Sequence, residues 1–167
     1  VIMLRAFGCI VAGKPEQAVQ LGKNALETIL GFEPRELAWL NWVCGYAYRG
    51  MGQLDKAIHC YETALIHGRK ANTMLEDIAT DLGIAYRLSG KLTQAVEVFQ
   101  NALLEAEAQG MRKKGNLSRV EAFLSAALLD QNRLEEALQH AQKGIYYLQW
   151  WPSHNHITTA NIYLGQV

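Results

Sequence analysis

Apolar and small side chains recur along this chain at helical spacing, and the recurrence itself repeats. Four short segments align, opening on Gly13, Gly52, Gly90 and Asn132. Five positions on, each reaches an alanine: Ala18, Ala57, Ala95 and Ala137. Seven residues later comes a second very small residue, Ala25, Ala64, Ala102 or Gly144. Successive first alanines stand 39, 38 and 42 residues apart. Self-similarity at such a period is the signature of a repeat architecture.

The offsets have a direct physical meaning. Glycine, or asparagine in the fourth copy, tolerates the left-handed backbone that ends a helix. The next helix starts at once, and small residues seven apart lie two turns along one face, where helices can cross closely. Another helical segment precedes each turn, carrying Gly45 and Tyr48 in the second copy and Gly83 and Tyr86 in the third. Pro15, Pro34 and Pro152 fall at or near helix starts, where a missing N–H costs nothing. The expected fold is all-α, a right-handed α-solenoid of antiparallel helix pairs with about nine helices. Copies are expected near 1–32, 33–70, 73–110 and 115–150, with the first helix of a further copy at 154–167.

Charge and composition narrow the functions. The 167 residues carry 16 basic and 16 acidic side chains, which argues against a surface built to hold nucleic acid directly. Arg112, Lys113 and Lys114 form the one basic cluster and read as a solvated loop. Cys9, Cys44 and Cys60 are odd in number and fall inside helical patterns, which fits free thiols in a reducing, cytoplasmic compartment. No signal peptide is visible, although the chain does not open on methionine. The apolar stretch Leu37 to Tyr48 is too short to span a bilayer, so no membrane partner is expected.

Gly45, Tyr48, Ala57, Tyr61 and Ala64, and again Gly83, Tyr86, Ala95, Phe99 and Ala102, resemble the tetratricopeptide signature at its small and aromatic positions. Copies one and four match only in the second helix, while Thr158 to Val167 resembles the first helix of a fifth copy. Departures are Asn41 and Ala79 at the usual first-helix tryptophan, and periods above the family's ordinary length. More narrowly, the run from Asn132 to Ile145 resembles the sensor solenoid of large bacterial transcription activators of the MalT and LuxR type. That resemblance implies an ATPase before the solenoid and a helix-turn-helix DNA-binding domain after it.

Several patterns invite chemistry that their context denies. Gly8 to Lys14 matches a phosphate loop, but Pro15 stands where Ser or Thr would hold magnesium, and a helix precedes it. Asn116 to Ser118 is a glycosylation sequon that reads instead as a helix cap. His154 and His156 lack the further ligands a metal site needs, and His59, His67 and His140 read as exposed or capping. The carboxylate pairs Asp77 with Asp81, Glu105 with Glu107 and Glu135 with Glu136 read as solvated helix faces. No catalytic residue, metal site or cofactor is expected.

The tetratricopeptide resemblance implies that the first helix of each pair lines an inner groove. Carried over position by position, that groove receives Trp39, Trp42, Tyr46 and Arg49 from copy two. Copy three supplies Asp77, Thr80, Ile84 and Arg87; copy four supplies Arg119, Ala122 and Ala126; copy one supplies Met3, Phe7 and Ile10. Aromatics interleaved with arginines suit a partly apolar partner, because such residues dominate binding hot spots. The alternative is that Trp39, Trp42 and Tyr46 only pack against the neighbouring copy. The expected function is a non-catalytic sensor or effector-binding module of a multidomain transcription regulator, or a scaffold docking a partner's helix or linear peptide. Ile2, Phe7 and Ile10, with Ile162, Tyr163 and Val167, are expected to leave apolar ends that self-associate.

Overall fold

A computed structural model describes residues 2–28, 31–110 and 116–148. All eight elements among the described residues are helices: α1 (Ile2–Val11), α2 (Pro15–Thr28), α3 (Pro34–Gly50), α4 (Leu54–Ala71), α5 (Leu75–Leu88), α6 (Leu92–Ala108), α7 (Asn116–Asp130) and α8 (Leu134–Leu148). The basic cluster 112–114, Pro152, His154, His156 and the further helix expected at 154–167 lie outside the described residues.

The turns form as the repeat pattern predicts. Gly13, Gly52, Gly90 and Asn132 have φ of 71°, 72°, 75° and 58°. At each, two hydrogen bonds close the preceding helix in the same way. Gly52 N–H donates to Arg49 O at 3.0 Å and Gln53 N–H to Tyr48 O at 2.9 Å. Asn132 N–H donates to Leu129 O at 2.8 Å and Arg133 N–H to Leu128 O at 2.9 Å. These bonds absorb carbonyls that have no partner inside the helix, and the left-handed residue makes them reachable. Pro15 and Pro34 each open a helix, and the Glu33 N–H at the start of α3 donates to Glu36 Oε2 at 3.1 Å.

The chain divides into two compact units, Val1–Ala85 and Tyr86–Val167, with the boundary inside α5. In the first, α1 packs on α2, α2 on α3 and α3 on α4, and α1 also touches α3. In the second, α6 packs on α7 and α7 on α8. The small residues sit where helices meet: Ala18, Ala57, Ala95 and Ala137 are fully buried, and Ala25, Ala64, Ala102 and Gly144 are buried with them. Gly45 shows why size matters in the first unit. A Cβ built there would stand 2.7 Å from two ring carbons of Tyr61, which is itself buried in full.

Lys14 is exposed at the α1–α2 turn and Gly8 lies inside α1, so this segment is a repeat turn and no phosphate loop. Cys44 is buried and Cys9 and Cys60 are half-buried, all three as free thiols. Ser118 is buried within the first turn of α7. None of the helices among the described residues is long and apolar enough to cross a membrane.

Candidate interaction face on the first helices

Trp39, Trp42 and Tyr46 lie three and four positions apart on α3, so they share one face of the helix. The structure brings Phe7 of α1, expected in the groove from copy one, against Trp39 and makes a ladder of the four rings. Centroids stand 6.4 Å apart from Phe7 to Trp39, 6.3 Å from Trp39 to Trp42 and 6.4 Å from Trp42 to Tyr46. The interplanar angles are 59°, 70° and 63°, the tilted and edge-on geometry in which a ring's positive rim meets its neighbour's negative face. Arg49, one turn further on, places its guanidinium carbon 4.8 Å from the Tyr46 centroid.

One buried acid from α5 holds this arrangement. Asp81 is 2% exposed. Its Oδ2 accepts a hydrogen bond from Trp42 Nε1 at 2.8 Å, and its Oδ1 lies 3.2 Å from Arg49 Nη2. A carboxylate so deep in the protein is tolerated when paired and hydrogen-bonded, and here Arg49 supplies the charge and Trp42 the hydrogen bond. Tyr61 of α4 lies behind it. Its hydroxyl is buried and makes no close hydrogen bond among the described residues, and burial, followed by the nearby Asp81 charge, pushes its ionisation above the usual range.

The ladder is partly sunk and partly open. Trp39 and Trp42 are half-buried, while Tyr46 is 38% and Phe7 39% exposed. Beside Trp39, a recess of about 390 Å³ is lined by Met3, Leu4, Arg35 and Glu36. The face thus offers aromatic edges, an apolar recess and charges of both signs. Such a surface can grip a partly apolar chain.

The other expected groove positions divide. Thr80 is 1% exposed and its hydroxyl donates to Glu76 O at 2.5 Å, so it presents no surface, contrary to expectation. Ile84 and Asp77 are half-buried on α5. In the second unit Arg87 donates from Nε and Nη2 to the two oxygens of Asp130, at 2.5 and 3.3 Å. Arg119 is half-buried on α7, and Ala122 and Ala126 are buried.

Two further sequence expectations need correction. Asp81 does not belong to a solvated face; it lies one turn beyond Asp77 but turns inward beside Ile78 and Leu82, both buried. His140 is neither exposed nor capping; it is half-buried, and its Nδ1 meets Glu121 Oε2 at 2.5 Å. The signal for Asp81 was its place in an otherwise uncharged, largely apolar stretch from Ile78 to Ala85. No signal in the sequence joined His140 to Glu121.

On the opposite side of α3, Lys23, Cys44, Tyr48, Lys56 and Cys60 border a cavity of about 470 Å³. Burial, and then the neighbouring Cys60, push the Cys44 thiol up to about 12. Lys56 Nζ lies 5.6 Å from the Tyr48 centroid. Among the described residues no group of three or more His, Cys, Asp or Glu side chains could hold a metal ion.

Solved structures share this fold. MamA superposes with a TM-score of 0.70 at 18% identity, over 89% of this chain and 77% of that one. BtubC (BKLC) from P. vanneervenii gives 0.75 at 18% identity, over 89% of this chain and 61% of that one. YrrB, described as a TPR protein with an unusual peptide-binding site, gives 0.63 at 18% identity, over 99% and 75%. A search of curated protein sequences returns no match. The family described as the MalT-like TPR region matches residues 1–167, and the chain belongs to that family, an α-solenoid of tetratricopeptide type.

Proposed function

We propose that this chain is a non-catalytic interaction module whose first-unit face, built on Phe7, Trp39, Trp42 and Tyr46, docks a helix or linear peptide of a protein partner. The observation that carries this reading is the aromatic ladder held from behind by Asp81. Part of the ladder packs between neighbouring copies, as the plainer alternative had it: Trp39 touches Phe7 and Trp42 is bonded to Asp81. The open edges of Phe7 and Tyr46 are what packing leaves over, and rigid aromatics bind at small entropic cost. The peptide site named for YrrB supports the same use of the fold.

The family match supports a finer reading: a sensor region in a cytoplasmic transcription regulator that also carries an ATPase and a helix-turn-helix domain. In that setting the partner is a segment of the same polypeptide or of a regulatory protein, and docking biases the regulator between states. Exposed Leu4 and Val11 on α1 support a further contact between copies of the chain.

Selection from a displayed library of random peptides tests the docking face. Enriched peptides should carry apolar or aromatic anchors one turn apart, and Tyr46→Ala and Trp39→Ala should weaken them while the variants stay folded. Peptides that bind both variants as well as the parent would place docking elsewhere.

A further inference from the structure

The second unit holds a cavity that the aromatic face does not use. It has a volume of about 580 Å³, within the range of about 300–1,000 Å³ typical of small-molecule sites. Leu103 and Leu104 from α6 and Leu117 from α7 form its apolar wall, with Glu121 of α7 and His140 and Lys143 of α8 opposite. Glu121 is 3% exposed. Its Oε2 meets His140 Nδ1 at 2.5 Å, and among the described residues Oε1 has no hydrogen-bond partner. A carboxylate has room for about four donors, and burying its charge costs stability unless cations or hydrogen bonds answer it. This one is answered on one oxygen and faces a cavity with the other.

We propose that the cavity is a binding site for a small amphipathic organic cation. Its alkyl or aryl part lies against the three leucines, and its ammonium group donates to Glu121. Among the described residues that line the cavity, the one ammonium group is that of Lys143, which is exposed. An anionic ligand would have to approach a buried carboxylate, at a cost Lys143 on the rim offsets poorly. The site lies wholly in the second unit, so it stands or falls independently of peptide docking on the first.

Calorimetric titration of the full chain with phenethylamine, 2-phenylethanol and 3-phenylpropionate tests this. Phenethylamine should bind at least about tenfold more tightly than the alcohol, and the carboxylate should not bind measurably. Glu121→Gln should erase the preference for the amine. Leu104 is 62% exposed, so Leu104→Arg should leave the fold intact, bring a competing cation to the mouth and abolish amine binding. Equal affinity for amine and alcohol, tighter binding of the carboxylate, or amine binding unchanged in Leu104→Arg would each overturn the proposal. The last comparison holds even if Glu121→Gln fails to fold.

Discussion

The indole N–H of Trp42 donates to Asp81 at 2.8 Å across 39 residues of sequence, one repeat length, so one copy's aromatic side chain is anchored by the next copy's acid. Each copy of such a fold depends on its neighbour for burial. Here it also depends on its neighbour for the orientation of a surface residue, since the same carboxylate lies 3.2 Å from Arg49.

Removing that acid should therefore be expensive. Asp81→Ala leaves Arg49 half-buried without its partner and should cost about 3 kcal/mol in chemical denaturation. Trp42→Phe keeps an aromatic ring but loses the hydrogen bond and part of the indole's packing, for about 1–2 kcal/mol. The double variant should cost less than the sum. Strict additivity would mean that the two side chains act independently.

Gly45 and Gly50 offer a matched comparison on α3. A Cβ at Gly45 meets the Tyr61 ring at 2.7 Å, whereas nothing lies within 4 Å of one at Gly50. Gly45→Ala should overpack by about 1–3 kcal/mol, and Gly50→Ala should be neutral or slightly stabilising. Ala95→Leu, at a fully buried position of the third copy, should cost about as much as Gly45→Ala. Melting curves decide it, and an Ala95→Leu variant that melts with the parent would break the repeat register.

Much of the fold was legible because the same local solution recurs. A left-handed turn residue, an alanine and a second small residue each have one physical job, and Gly13, Gly52, Gly90 and Asn132 all took the backbone expected of them. The face was only half legible. Spacing alone set Trp39, Trp42 and Tyr46 in a row, because three- and four-residue steps fix one side of a helix. Spacing could not show that Asp81 turns inward or that Thr80 is buried, since both depend on how neighbouring helices rotate. Glu121 and His140 come from different helices, so no local pattern joined them.

Alkaline pH should loosen the first unit in a defined window. Burial raises the Cys44 thiol from 9.0 to about 12, and also raises Cys60 and Tyr61. Below pH 9 these groups are protonated whether the chain is folded or not, and stability is full. Above it the unfolded chain ionises first, so stability falls as pH rises towards about 12. Cys44→Ala should lower the melting point at neutral pH but flatten its decline above pH 9. An unchanged slope would show that the Cys44 environment is not what couples this unit to pH.

The segment from Gly8 to Lys14 should bind no nucleotide, because Lys14 is exposed at a repeat turn and Pro15 opens a helix. Titration with ATP and magnesium should give no heat of binding. Micromolar affinity would contradict the turn assignment.

Docking on the aromatic face is tested most directly by the indole N–H resonances of Trp39 and Trp42 during titration with a selected peptide. Both signals, with the backbone amides around Phe7 and Tyr46, should shift together and saturate at one equivalent, while amides of α2 and α4 stay in place. Shifts confined to α2 and α4, with the two indole signals unmoved, would contradict it.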